Sequence, residues 1–165
     1  MNRSMLTAAF CAAAWAACAQ AAPTDGVLTD VLDRPALQSP IAAKKLLLSV
    51  AQAGDRLVAV GPRGHIVVSL DAGATWQQSQ VPLSSDLTAV HFPSPEAGWA
   101  VGHDGVVLAT TDGGVTWTKQ LDGRMVNDLV LADIQAKLAA NPESVELQNL
   151  AAEAARSKEQ GPDKP

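Results

Sequence analysis

The chain has 165 residues, with 12 Lys and Arg against 17 Asp and Glu and a formal net charge of −5. That acidic balance argues against a nucleic-acid binder, which needs a basic face to release phosphate counterions, and against docking on anionic lipid. Both cysteines, Cys11 and Cys18, fall near the start, so the rest of the chain would offer no disulfide and no thiolate for metal or nucleophilic chemistry.

Residues 1–21 read as a secretory signal peptide. Arg3 supplies the positive start, an apolar run follows from Met5 to Ala17, and Ala19-Gln20-Ala21 is a small-x-small cleavage pattern. The run is short and Ala-rich for a membrane span. An N-terminal anchor is one alternative. A lipid anchor on Cys18 is another, and Trp15-Ala-Ala-Cys18 matches it poorly. An exported chain without disulfides suits a bacterial periplasm. After residue 21 nothing approaches a transmembrane run.

Residues 22–43 read as an extended lead-in with room for one edge strand, since Pro35 and Pro40 exclude a central one. Two sets of four short strands follow. Runs at 45–51, 56–60, 65–70 and 75–81 make up the first set, within 44–82. Runs at 86–92, 98–101, 106–111 and 116–121 make up the second, within 86–122. Each break carries turn chemistry, such as Gly61-Pro-Arg-Gly64 and Gly102-His-Asp-Gly105. From residue 123 the pattern becomes helical. Leu131, Ile134 and Leu138 share one face of a helix expected over 128–138. Asn141 and Pro142 would cap and open a second helix carrying Leu147, Leu150, Ala151 and Ala154. This pair would serve as a partner-binding arm or pack on the open side of the strands. Residues 157–165 form a polar tail.

The two sets repeat each other. Ser69-Leu-Asp-Ala-Gly-Ala-Thr-Trp76 returns 41 residues later as Thr110-Thr-Asp-Gly-Gly-Val-Thr-Trp117. Val60-Gly61-x-x-Gly64 returns as Val101-Gly102-x-x-Gly105, and Leu46 falls on Leu87. A period near 40 residues with four antiparallel strands per unit is the mark of a propeller blade. The fold class is therefore all-β with a C-terminal helical segment, a partial β-propeller of two four-stranded blades. Rings of this kind close with four to eight blades, so the chain is expected to be part of a propeller about twice as long, with an array completed by self-association as the alternative.

The repeated octapeptide spans the turn between the third and fourth strands. Asp71 and Asp112 can accept hydrogen bonds from following amides, and Gly73 and Gly114 tolerate positive φ. Thr75 and Thr116 can bond back across the turn. Trp76 and Trp117 can bury their rings between sheets. With Ser69 and Thr110, these ten residues match the Asp-box, or BNR repeat, found in sialidases and other propellers. The longer repeat, Leu87-Thr-Ala-Val-His-Phe92, Gly98-Trp-Ala-Val-Gly102, Gly105-Val-Val-Leu108 and Thr111 to Trp117, resembles the photosystem II assembly and stability factor family. Roughly residues 36–122 carry the resemblance. It implies a seven-bladed propeller whose relatives include exported proteins of non-photosynthetic bacteria.

The resemblance also implies a non-enzymatic scaffold whose protein partner is a membrane complex. That complex is photosystem II in a phototroph, with the chain in the thylakoid lumen or at the membrane. In a non-phototroph it is another envelope complex. A glycan-binding or sialidase-like protein is the competing class. Sialidases use a tyrosine nucleophile, and this sequence has no tyrosine. The turn role accounts for Asp71 and Asp112, so no catalytic residue is expected. His65, His91 and His103 lack metal-ligand spacing, so neither metal nor cofactor is expected. Trp99 is expected in the core. The candidate partner-binding loops join the second and third strands, at Arg63 and His65 and at His103 and Asp104, on the face opposite the Asp-box turns.

Overall fold

The computed structural model describes residues 29–160. The expected signal peptide at 1–21, with Cys11 and Cys18, and the last residues of the tail at 161–165 lie outside the described residues.

Two four-stranded antiparallel sheets follow one another along the chain. The first runs β1 (Ser49–Ala53), β2 (Arg56–Val60), β3 (Ile66–Ser69) and β4 (Gln77–Gln78). The second runs β5 (Leu87–His91), β6 (Gly98–Gly102), β7 (Val107–Thr110) and β8 (Thr118–Leu121). Strand order equals chain order in both, so each sheet is a meander of hairpins and forms one propeller blade. Two C-terminal helices, α1 (Gly123–Ala140) and α2 (Val145–Gln160), follow.

Stacking the sheets buries one face of each. Val58, Val60, Ile66 and Val68 of the first blade meet Leu87, Ala100, Leu108 and Trp117 of the second. Leu32 and Ala36 of the lead-in and Val81 and Leu83 of the connection close the edges of this core. A smaller cluster covers the other face of the first blade, where Ala42 and Ala43 sit on Ala59, Val67 and Trp76.

Several expectations are corrected. Residues 29–48 hold a turn and a 3-10 turn (Ala42–Lys44) but no strand, and β1 begins only at Ser49. The fourth strand of the first blade shrinks to two residues because the chain leaves for its neighbour. Ser79 Oγ donates to the Gly114 carbonyl at 2.5 Å, and Gln80 bridges Thr116. Leu46 is not the counterpart of Leu87. The pairings Ser49 with Val60 and Ala89 with Val101 make the offset 40 in the first strand, so Leu47 takes that place.

Trp99 is exposed rather than in the core, because it points away from the first blade. The first helix starts earlier than expected, since Asp122 caps it by accepting from the Met125 amide at 2.9 Å. The second starts later than Asn141-Pro142 would allow. Ser144 is its cap, with Oγ accepting from the Leu147 amide at 3.3 Å. The helices pack on each other, and α1 meets the sheets chiefly at the turn His103–Gly105, so among the described residues the helices do not lie over the outer faces of the blades.

Candidate functional site

The two Asp-box turns carry the same hydrogen-bond network. Asp71 Oδ1 accepts from the Thr75 amide at 2.7 Å, Asp71 Oδ2 from Thr75 Oγ1 at 2.5 Å, and Ser69 Oγ from the Gly73 amide at 2.8 Å. In the second copy Asp112 Oδ1 accepts from the Thr116 amide at 3.0 Å, Oδ2 from Thr116 Oγ1 at 2.5 Å, and Thr110 Oγ1 from the Gly114 amide at 3.1 Å. Gly73 and Gly114 have φ of 92° and 89°, a region glycine enters without steric cost.

Sequence reasoning missed one bond in each turn. Trp76 and Trp117 donate through Nε1 to the Gly73 and Gly114 carbonyls, both at 3.0 Å. Trp117 is buried against the first blade in an edge-to-face pair with Phe92, centroids 6.0 Å apart. Trp76 stays half-buried on the outer face. The hydroxyl and amide of Thr75, with the Ser69 hydroxyl, hold the Asp71 carboxyl down to about 2. Burial works against Asp112, yet Thr116 and Thr110 still keep it below the usual carboxylate range. Both carboxylates accept hydrogen bonds from their own turns on both oxygens.

At the opposite end, the loops between second and third strands form a joined pair. Arg63 and Asp104 both adopt left-handed backbone, at φ 58° and 57°, within 3-10 turns Pro62–Gly64 and His103–Gly105. The segment 85–87 links the two. Asp86 Oδ1 accepts from the Arg63 amide at 2.8 Å and the Asp86 carbonyl from the His103 amide at 2.9 Å. The Leu87 amide donates to the Gly61 carbonyl at 3.1 Å, and Ser85 Oγ to Asp104 Oδ2 at 2.5 Å. The glycines of the repeated Gly-x-x-Gly make this closeness possible, since a Cβ at Gly102 would collide with the Asp86 carbonyl.

The structure thus brings Arg63, His103 and Asp104 to one end of the blade pair. Arg63 and His103 are exposed, and Asp104 is half-buried. His65 is placed differently. It is buried, desolvation lowers its pKa despite a hydrogen bond with the Leu37 backbone, and it offers no surface to a partner. Ser85 and Asp86 were not singled out by sequence, although Ser84-Ser85-Asp86 is a run of side chains suited to capping backbone amides. His91 is exposed on β5, far in sequence from any ligand set. Among the described residues, no three His, Cys, Asp or Glu side chains gather to hold a metal ion.

Residues 68–139, from β3 of the first blade into α1, match the family model described as photosynthesis system II assembly factor YCF48. A curated relative, the chloroplastic photosystem II stability/assembly factor HCF136 of Cyanidioschyzon merolae (strain NIES-3377 / 10D), is 37% identical over 81 residues. The chain resembles photosystem II assembly factors. The match with that relative covers 46% of this chain and 18% of the assembly factor. Two solved structures of such factors are also similar. "YCF48 bound to D1 peptide" is 31% identical with a TM-score of 0.42, and "YCF48 from Cyanidioschyzon merolae" is 23% identical with a TM-score of 0.39. Each match covers 46% of this chain and 26% of the factor. Among the described residues no helix is long and apolar enough to cross a membrane.

Proposed function

We propose that the chain is an exported, non-enzymatic scaffold that holds a protein partner, a membrane protein complex, during assembly. The observation that carries this reading is the 68–139 match to the assembly-factor family, backed by 37% identity to a curated assembly factor. The site geometry agrees with it. The Asp-box carboxylates are occupied by their own turns, which leaves them structural. The joined loops instead present Arg63 and His103 on a backbone held by Asp86, the arrangement by which a rigid scaffold offers binding loops.

The test recovers tagged protein from crosslinked membranes and compares it with an Arg63→Ala/His103→Ala double variant. Both side chains are exposed, so the fold is unaffected and circular dichroism stays the same. Wild type should carry a membrane protein complex, and the variant about tenfold less of it, as expected when two contacts worth about 0.7 kcal/mol each are lost. Equal recovery by both proteins would remove the loops from the binding surface. Recovery of the protein from the periplasm with an N-terminus near residue 22 checks export, and a cytoplasmic product that retains residues 1–21 contradicts it.

A further inference from the structure

Between the two blades, at the end that carries the Asp-box turns, a cleft of about 160 Å³ opens. Val68 and Leu70 of the first blade and Val115 of the second make its apolar walls, and Gln77 and Arg56 line it too. Val68 belongs to the core shared by the two blades, so the cleft lies between the blades and not on the outer face of either. Its lining holds one charged residue, Arg56. That guanidinium is seated rather than loose. Nη1 donates to the Asp112 carbonyl at 2.7 Å, and Gly113 leaves the room for it, since a Cβ there would collide with Nη1.

The bond to the carbonyl uses one of the five donors that an arginine fork carries. Among the described residues no carboxylate forms an ion pair with Arg56. Asp71 and Asp112, the acids of the flanking turns, accept from those turns on both oxygens and do not line the cleft. Nor does the blade fold ask for these residues. Val58 pairs Val68 as Trp99 pairs Ala109, an offset of 41, so Arg56 falls on Ala97 and Leu70 on Thr111. The second blade builds the same hairpins with a methyl and a hydroxyl at those places. Leu70 is 68% exposed and Val115 51%, so neither fills the core. A half-buried cation with donors to spare stands beside apolar side chains that the fold does not use.

We propose that this cleft binds a carboxylate that carries a short, branched apolar tail. The carboxylate pairs with the Arg56 donors left over from the Asp112 carbonyl, a match of planar fork to planar fork. The tail lies on Val68, Leu70 and Val115. The small size of the cleft limits the ligand to one aliphatic group and its acid. Such a group comes either as a free branched-chain acid or as the last residue of a peptide, and the test separates the two. The cleft is at the opposite end of the blades from Arg63 and His103, so the partner-binding reading stands or falls separately.

The experiment titrates the isotope-labelled full chain with 4-methylpentanoate, N-acetyl-leucine and N-acetyl-leucinamide and follows amide shifts by NMR. The first two carry the same tail on a carboxylate, and the third carries it without one. Saturable shifts at Leu70, Gln77 and Val115 should appear with a carboxylate and not with the amide. Binding of 4-methylpentanoate alone assigns the site to a free acid, and binding of N-acetyl-leucine assigns it to a peptide terminus. Arg56→Gln should weaken binding at least about tenfold, as expected when charge-assisted bonds are lost. Leu70→Glu should weaken it as much, because its carboxylate competes for the guanidinium. Leu70 is exposed and the Arg56 bond to Asp112 is kept, so this variant decides the matter if Arg56→Gln fails to fold. Absence of a saturable shift with either acid overturns the proposal. So does equal binding of the amide, or undiminished binding by either folded variant.

Discussion

Within each Asp-box turn, a few side-chain atoms replace a longer ladder of backbone bonds. Thr75 and Ser69 hold Asp71 down to about 2, against an ordinary value of 3.8. A carboxyl depressed on folding stabilises fully above its ordinary value, and that contribution is lost as pH falls through the folded value. Asp112 shifts in the same direction. Acid unfolding should therefore set in as pH drops from 3.8 toward 2, and Asp71→Asn should flatten the dependence of the urea midpoint on pH in that window. An unchanged acid slope in the variant would separate the carboxylate from the turn's stability. The turns also differ at one backbone position. Ala72 has φ 55° where the second copy places Gly113 at 72°. A left-handed alanine costs roughly 1–2 kcal/mol and glycine recovers it less about 0.5–1 kcal/mol of chain entropy. Ala72→Gly should thus stabilise by about 0.5 kcal/mol in denaturant titration. Gly113→Ala should destabilise, because its Cβ would also meet Arg56 and the Pro95 carbonyl.

Elements join most tightly where the second blade passes into α1. Asp122 is buried, caps the helix through Oδ1 and receives Lys119 Nζ at 2.7 Å on Oδ2. Lys119 also donates to the Leu32 carbonyl, and Arg124 grips Asp33 with two bonds of 2.7 Å. This pins the lead-in to the last strand. Asp122→Ala removes a cap and a buried charge partner together, about 2–3 kcal/mol, which thermal unfolding would show as a lowered midpoint. An unchanged midpoint would make the capping incidental. Asp122 and Ser144 were missed as caps, because the apolar spacing placed the helix starts at 128 and at Asn141-Pro142, although both are N-cap residue types. The hairpin turns and the Asp-box were legible, because their geometry depends on residues close in the chain. The short β4 was not legible, since Gln80 turns away to bridge Thr116 of the other sheet. Trp99 and Val58 were equally opaque. Both faces of a blade are apolar, and alternation along the strand cannot say which face has a neighbour. Of the candidate loops, the repeat placed Arg63, His103 and Asp104 together, but the burial of His65 depends on the distant Leu37 backbone.

For the molecule as a whole, stability should divide unevenly between blades and helices. The blade core holds Val58, Val60, Ile66, Leu87 and Leu108 almost fully enclosed, and a side chain of that kind contributes roughly 1.5–3 kcal/mol by burial. Trp117 closes this core and should cost about 3–5 kcal/mol when cut to alanine. Trp76, half-buried on the outer face, should cost distinctly less in the same denaturation experiment. By contrast α1 has no buried residue, and its contacts are chiefly with α2, itself exposed along Leu150. Local opening is cheapest where few apolar contacts must break. Amides of α1 and α2 should accordingly exchange with solvent at least about tenfold faster than those of β2, β3, β6 and β7, a difference of about 1.4 kcal/mol. Exchange measured by mass spectrometry decides it. Equal protection in helices and strands would mean that the hairpin and the blades unfold as one unit, which requires α1 to be tied to the sheets by more than the Asp122 cap, the Arg124–Asp33 pair and the His103–Gly105 turn.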